Sequence, residues 1–159
     1  MIAEHFVAAQ SAFTGYAIPE NVCCSAPELG IGYISPINGQ RSSGFGYRVH
    51  PISGGVKFHY GTDFAADHGT DIGCFADGTV RAVGEESGYG KYVIVDHDGC
   101  SSLYAHCSSI LVQAGDTVMA GQTIAQVGET GLATGPHLHF ELQRDGMYLN
   151  PEFYCCAEG

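Results

Sequence analysis

A chain of 159 residues with ordinary apolar content is long enough for one well-packed domain and short for two. Its formal net charge of −11, with only six Lys and Arg residues, argues against nucleic acid as a partner, because phosphate binding needs a basic surface. The same charge argues against electrostatic docking on anionic membrane or wall polymers.

The beginning of the chain predicts a short helix followed by a connector. Apolar residues recur near the helical period over residues 2–13, without Gly or Pro, and Pro19 ends the pattern. We therefore expect an N-terminal helix and connector over residues 1–30, which would suit an accessory segment or a membrane-proximal stalk. The main domain is expected over residues 31–154, followed by a tail over residues 155–159.

No segment of the sequence predicts export or membrane insertion. The first residues lack the charged and apolar regions of a signal peptide, and no stretch approaches the roughly 20 apolar residues of a membrane span. The protein is then expected either to be cytoplasmic or to have an export segment outside this chain.

From residue 31 onward the pattern changes to short apolar runs separated by turns that contain some of the 23 glycines. Asp98 and Gly99 lie between two such runs and are a strong β-hairpin signal. Without a second helical pattern, the sequence predicts an all-β, mainly antiparallel domain, an open sandwich or barrel. The predicted strands cover residues 79–83, 92–96, 101–106, 118–120, 123–127 and 137–143.

The last of these strands carries an unusual polar face. Leu138 and Phe140 alternate with His137, His139 and Glu141, so both histidines lie on one face, roughly 6.5–7 Å apart. Two imidazoles so placed can share one small site, with one binding a metal and the other reaching its bound water or the substrate. The spacing leaves open which of the two binds the metal.

Two further segments offer partners for this pair. His59 and Asp63 can converge on one cation if Gly61 lets the chain bend between them, at a turn that leads into a strand. His106 ends a predicted hairpin strand, and Cys107 follows it directly, so on a strand the two side chains would point to opposite faces. Thiol chemistry is therefore a poor competitor. The remaining histidines are expected in loops or at the surface: His5, His50, His68 and His97.

The cysteines leave the redox setting open. Seven is an odd number, so they cannot all pair within one chain, and none forms a CxxC pair of the kind found in zinc ribbons. Most are expected to be small apolar or adventitious thiols. A disulfide from Cys23 or Cys24 to Cys155 or Cys156 remains an alternative, because these pairs flank the main domain.

Taken together, these motifs resemble the zinc peptidases of the lysostaphin/LytM type, peptidase family M23, a group of peptidoglycan endopeptidases. The resemblance extends from about residue 34 to residue 153, and three motifs in the right order make it specific. The matching segments are SGFGYRVHP at 43–51, HYGTDFA at 59–65, ADGTV at 76–80, YAH at 104–106 and TGPHLHFE at 134–141.

The resemblance implies a role for each residue of the site. His59, Asp63 and His139 would bind one zinc ion per chain, and His106 and His137 would be catalytic histidines that do not bind it. Three protein ligands leave the open position that a catalytic zinc needs. Zinc would polarise the scissile carbonyl and lower the pKa of its water toward roughly 7. One histidine would take the water's proton and the other would stabilise the oxyanion, but which does which stays open.

Two functions of different classes follow from the resemblance, which also implies the LytM-type β fold. The first is a zinc-dependent endopeptidase that cuts stem or cross-bridge peptides of peptidoglycan, with peptidoglycan peptide as its partner. The second is a membrane-anchored, non-enzymatic module that binds a partner in cell division or sporulation. Such modules usually lose zinc ligands, and this chain keeps them all. A wall substrate would place the domain outside the cytoplasmic membrane, with a signal or anchor upstream. The oligomeric state stays open.

Overall fold

The computed structural model describes residues 16–23, 25–49 and 54–155, and the regular secondary structure of these residues is almost entirely β-strand. The predicted helix over residues 2–13 lies outside them. The strands are β1 (Gln40–Ser43), β2 (Gly46–Val49), β3 (Val56–His59), β4 (Thr62–Ala65), β5 (Asp71–Gly73), β6 (Gly78–Glu86), β7 (Gly90–Asp96), β8 (Ser101–Ile110), β9 (Thr117–Val118), β10 (Thr123–Val127), β11 (His137–Arg144) and β12 (Met147–Leu149). A 3-10 helix, Pro151–Phe153, follows β12.

Ten of these strands form one sheet. Its main path runs β1–β4–β11–β8–β7–β6–β9, with β10 pairing with both β5 and β8, and β12 pairing with β11. Strands β2 and β3 form a separate two-stranded sheet. Every pairing between named strands is antiparallel. The predicted all-β, mainly antiparallel fold is therefore confirmed.

The six strands that the sequence predicts correspond to β6 through β11. The Asp98–Gly99 turn joins β7 and β8, which pair from Asp96 and Ser101 onward, as the hairpin signal predicts. The main difference is length, since β6 runs on to Glu86 and β8 to Ile110.

The hydrophobic core lies on one side of β11 and the polar face on the other. Leu138, Phe140 and Leu142 are fully buried and pack in one cluster with aromatic residues such as Phe75 and Tyr104. Burial of such side chains contributes about 1.5–3 kcal/mol each relative to exposure. This packing fixes the strand's orientation, so the alternate residues must face the opposite side.

The described part of the segment over residues 1–30, which we call the leader, runs along the edge of the domain. Val22 forms a parallel bridge with Tyr148, and the Cys23 amide donates to the Tyr148 carbonyl at 2.9 Å. Within residues 16–23, 25–49 and 54–155, no helix has the length and apolar character needed to cross a bilayer.

Four cysteines that the structure describes are free thiols: Cys23, Cys74, Cys100 and Cys107. The alternative of a Cys23–Cys155 disulfide is therefore wrong. Cys24 and Cys156, the other members of the two flanking pairs, lie outside the described residues.

Candidate active site

The site begins with the pairing of β4 and β11. Asp63 and His139 are directly opposite each other in the register of these antiparallel strands. His59 ends β3, and a two-residue turn leads from it to Thr62, the first residue of β4. The sequence expectation of a turn leading into a strand is confirmed, and it places three ligand-type side chains side by side.

Gly61 makes this approach possible. A Cβ atom at this position would lie 2.5 Å from the Phe140 carbonyl oxygen and 2.9 Å from both Glu141 Cγ and His139 Cε1. A side chain there would push the turn away from β11. Glycine is therefore required for the close contact between strands rather than for an unusual backbone angle.

Three donor atoms face one another across these strands. His139 Nδ1 lies 2.8 Å from Asp63 Oδ1, His59 Nε2 lies 3.1 Å from His139 Nδ1, and His59 Nε2 lies 3.3 Å from Asp63 Oδ1. All three residues are buried. Ligands at the 2.0–2.2 Å distances of zinc sites are separated by roughly 3.3 Å along a tetrahedron's edge. The three residues, hereafter the ligand trio, therefore fit a zinc ion.

The outer nitrogens of both trio histidines are occupied. The Nδ1–H group of His59 donates to the Gly44 carbonyl at 2.8 Å. The Nε2–H group of His139 donates to Glu141 Oε2 at 2.7 Å. These bonds leave Nε2 of His59 and Nδ1 of His139 as the nitrogens available to a metal.

His106 is aimed at the site by a bulge in β8. The register of β8 against β7 shifts between Lys91 and Val93, and His106 has a φ of 61°, in the left-handed region that non-glycine residues rarely adopt. Its backbone N–H donates to the Tyr89 carbonyl at 2.8 Å. Its ring Nδ1–H donates to the Thr130 carbonyl at 2.7 Å, which leaves Nε2 as the basic nitrogen.

His137 has the same arrangement. Its Nδ1–H group donates to the Gly135 carbonyl at 2.8 Å, and its Nε2 lies 3.8 Å from Asp63 Oδ2. The centroids of the His106 and His137 rings are 4.8 Å apart. We refer to these two residues as the histidine pair, and they lie beside the ligand trio.

All five residues line one pocket of about 430 Å³. Arg48 and Glu86 supply charged groups to its lining, Tyr89 an aromatic ring, and Leu132 an exposed apolar side chain. None of the described leader residues, 16–23 and 25–30, is among its lining residues. Within the part of the chain that the structure describes, the pocket is therefore not covered by the leader.

Three of these residues differ from free side chains in their affinity for protons: Asp63, His139 and His106. Burial alone would raise the pKa of Asp63, but its close contacts with the imidazoles of His139 and His59 outweigh burial and hold that pKa well below its usual range. Burial alone would lower the pKa of His139, but its bonds to Asp63 and Glu141 raise it to about 9. Burial lowers the pKa of His106 to about 4, which its bond to a backbone carbonyl only partly opposes. His106 is thus neutral at pH 7 and able to accept a proton.

The sequence profile of peptidase family M23 matches residues 57–151, a span that holds the whole ligand trio and histidine pair. The chain belongs to peptidase family M23. The resemblance on which the site prediction depends is thereby confirmed at the level of the family.

Individual M23 relatives agree with this assignment. The DD-carboxypeptidase/endopeptidase Mpg of Neisseria meningitidis serogroup B is 45% identical over 111 residues, which are 69% of this chain and 26% of that protein. The peptidoglycan DD-endopeptidase ShyC of Vibrio cholerae is 41% identical over 120 residues, 74% of this chain and 28% of that protein. The crystal structure of a zinc-containing peptidase from V. cholerae matches with a TM-score of 0.70 and 36% identity, covering 76% of this chain and 39% of that one. This chain thus spans about a quarter of the length of these two curated relatives.

Two residues of this M23 site are missed by sequence reasoning about ligands and bases. Glu141, 3% exposed, continues the alternation of His137 and His139, so its place on the strand was a signal. Tyr89 lies in the turn between β6 and β7 and has no such signal. Its hydroxyl donates to Glu141 Oε2 at 2.6 Å, and burial together with that carboxylate raises the pKa of Tyr89, so the hydroxyl stays protonated.

Of the other histidines, the two that the structure describes lie outside the pocket. His68 is exposed, as expected. His97 lies in the β7–β8 turn, also as expected, but its ring is half-buried, with contacts to the Asp77 carbonyl at 2.9 Å and Ser102 Oγ at 2.8 Å. His5 and His50 fall outside the described residues.

Proposed function

We propose that this M23 domain is a zinc-dependent endopeptidase that hydrolyses peptide bonds in peptidoglycan stems or cross-bridges. The observation that carries the proposal is the meeting, in one pocket, of three donor atoms at zinc-ligand spacing and two histidines that are each held through Nδ1 by a backbone carbonyl. Donors at this spacing support a single ion with an open position, as catalysis requires.

In this proposal His59, Asp63 and His139 hold the zinc ion through Nε2, a carboxylate oxygen and Nδ1. Zinc bound there would act as a Lewis acid toward the scissile carbonyl and would make a water molecule acidic near neutral pH. The protein's own contribution is orientation, because each ligand histidine is fixed by the acceptor on its outer nitrogen.

The histidine pair handles protons and the developing charge. His106 is neutral at pH 7 and held by Thr130, so its Nε2 is suited to take a proton from the attacking water. His137 lies on the same strand face as His139 and is held by Gly135. A proton on its Nε2 would let it donate to the oxyanion of the tetrahedral intermediate.

The substrate class is inferred from the relatives. ShyC is named as a peptidoglycan DD-endopeptidase and Mpg as a DD-carboxypeptidase/endopeptidase. A wall substrate would place the domain outside the cytoplasmic membrane. The non-enzymatic alternative is not favoured, because the ligand trio and the histidine pair are both complete.

Digestion of purified peptidoglycan tests the proposal. The zinc-loaded chain is incubated with directly cross-linked walls and with walls that carry peptide cross-bridges, and released fragments are identified by mass spectrometry. We expect cleavage of at least one wall type, its loss on chelation and its return when zinc is added back. Zinc-loaded protein that cleaves none of these walls would overturn the proposal.

A further inference from the structure

We propose that Glu141 and Tyr89 form an outer pair that fixes which nitrogen of His139 faces the zinc ion. The inference deepens the proposed function and rests on it, since it concerns how the same metal would be held. Neither residue is a member of the ligand trio or the histidine pair. Both are positioning residues rather than catalytic ones, because they act through His139.

The first argument is the chemistry of the Glu141 carboxylate. An ionised carboxylate can only accept hydrogen bonds, so the contact of 2.7 Å requires the proton of His139 to be on Nε2. A neutral imidazole carries one proton, and a proton on Nε2 leaves the lone pair on Nδ1. Nδ1 is the nitrogen that lies 2.8 Å from Asp63 and 3.1 Å from His59. Without Glu141, either tautomer would be available to His139.

The second argument is the burial of Glu141. The side chain is 3% exposed, and its Oε1 atom is buried with no hydrogen-bond partner within the described part of the chain. A buried carboxylate is costly unless it is paired. A negative charge at this depth is explained if it supports a metal cation on the other side of the His139 ring, as in the carboxylate–histidine–zinc arrangement.

Tyr89 holds Glu141 in place and ties it to the histidine pair. Its hydroxyl donates to the same oxygen, Oε2, at 2.6 Å, and its ring centroid lies 5.8 Å from that of His139. Its backbone carbonyl accepts the N–H group of His106 at 2.8 Å. Tyr89 thus contacts Glu141, the partner of His139, through its side chain and holds His106 through its backbone carbonyl.

The contact pattern of Glu141 suggests a specific variant. In Glu141→Gln the amide oxygen can take the place of Oε2 and accept from both His139 and Tyr89. The amide nitrogen would take the place of Oε1, where no existing bond is lost. The variant therefore keeps the shape of the outer pair and removes its charge. Glu129→Gln is the matched control, because Glu129 is exposed and the change in net charge is the same.

Zinc affinity is measured for the 159-residue chain by competition with a chelator of known affinity. We expect Glu141→Gln to weaken zinc binding about tenfold or more, and Tyr89→Phe to weaken it by a smaller factor. Glu129→Gln should bind as the wild type does. Tyr92→Phe controls for the tyrosine change, since Tyr92 packs near Tyr89 with ring centroids 6.1 Å apart.

A spectroscopic measurement separates positioning from general loss of stability. The ¹⁵N chemical shifts of the His139 ring report its tautomer. In zinc-loaded wild type the ring should be protonated at Nε2 and metal-bound at Nδ1. We expect mixed or altered shifts in Glu141→Gln. Unchanged affinity and unchanged shifts in both Glu141→Gln and Tyr89→Phe would overturn the inference. Wild-type protein that binds no zinc would instead overturn the proposed function itself.

Discussion

The ligand trio and the histidine pair lie side by side but are held in different ways. In the trio the side chains hold one another, with contacts of 2.8 to 3.3 Å among His59, Asp63 and His139. In the pair each ring is held separately, by one backbone carbonyl at 2.7 or 2.8 Å. Loss of one trio member should therefore disturb the other two, whereas loss of one ring of the pair should leave the contacts within the trio in place.

Under the proposed function, the difference follows from what each group would do. A metal ligand needs a fixed direction for its lone pair, and a network of partners supplies it at the cost of mutual dependence. A proton-transfer group needs one nitrogen held and the other free to exchange protons with water or substrate. The sharing of β11 by both groups, with His137 and His139 two residues apart, lets one strand serve both needs.

Removal of a trio member should have the largest effect. We expect His139→Ala to abolish zinc binding, and with it wall hydrolysis, because Nδ1 is lost and the buried carboxylates of Asp63 and Glu141 lose their shared donor. Zinc content after dialysis and the release of wall fragments measure the two losses. A lower thermal midpoint is also expected, since a buried ion pair that loses one partner costs about 3–5 kcal/mol.

His68→Ala is the control for this change. His68 is exposed and outside the site, so the variant should keep wild-type zinc content and activity. Full zinc content in a folded His139→Ala variant would show that His139 is not a ligand.

Removal of a pair member should stop turnover and leave the metal in place. We expect His106→Ala and His137→Ala each to lower kcat about 10²- to 10⁴-fold, the range for general acid–base groups, with zinc affinity within a few-fold of wild type. Equal loss of zinc in these variants and in His139→Ala would contradict the division between trio and pair.

A change at Gly61 should disturb the trio more than the pair. In Gly61→Ala the new Cβ would meet the Phe140 carbonyl at 2.5 Å and His139 Cε1 at 2.9 Å, so β4 and β11 must separate slightly. We expect a loss of about 1–3 kcal/mol in the free energy of unfolding, together with weaker zinc binding. Denaturant titration and chelator competition measure these effects.

Gly32→Ala serves as the matched control, because a Cβ there meets no atom within 4 Å. If the two variants were equally stable and bound zinc equally well, the close contact at Gly61 would not be what assembles the trio.

The same contrast explains which parts of the molecule could be predicted from the sequence. Strands β6 to β11 were predictable, since turn dipeptides such as Asp98-Gly99 separate them and since, apart from the two-residue β9, their apolar alternation is long enough to count. Strands β1 to β5 and β12 have only three or four residues each, too few for a period to stand out. Their positions depend on pairing with distant segments, such as that of β4 with β11.

Within the site, the metal-ligating and acid–base residue types could be predicted from the sequence, whereas the groups that orient them could not. His59, Asp63 and the histidines of β11 are marked by type and spacing, although the spacing alone did not decide between His137 and His139. Tyr89 and the carbonyl groups that orient the rings come from turns, where a backbone acceptor carries no sequence signal. The left-handed backbone of His106 likewise follows from the bulge in β8 rather than from its residue type.

The last prediction concerns the proton that zinc binding displaces from His139. In the metal-free protein the pKa of His139 is raised to about 9, above its unfolded value of about 6.5. Its protonation therefore stabilises the fold fully below about pH 6.5, and this contribution is lost as the pH rises through about 9. Zinc needs the same nitrogen without its proton, so binding at pH 7 should release about one proton from His139.

Calorimetric titrations of zinc into metal-free protein, in buffers of different ionisation enthalpy, measure this release. Apparent zinc affinity should rise about tenfold per pH unit between pH 7 and 8 and level off above about pH 9. His106 should contribute nothing to the release, because its pKa of about 4 leaves it neutral throughout this range. A zinc affinity independent of pH from 7 to 9 would mean that His139 is not protonated in the metal-free trio. The contrast between the trio and the histidine pair would then be one of geometry alone.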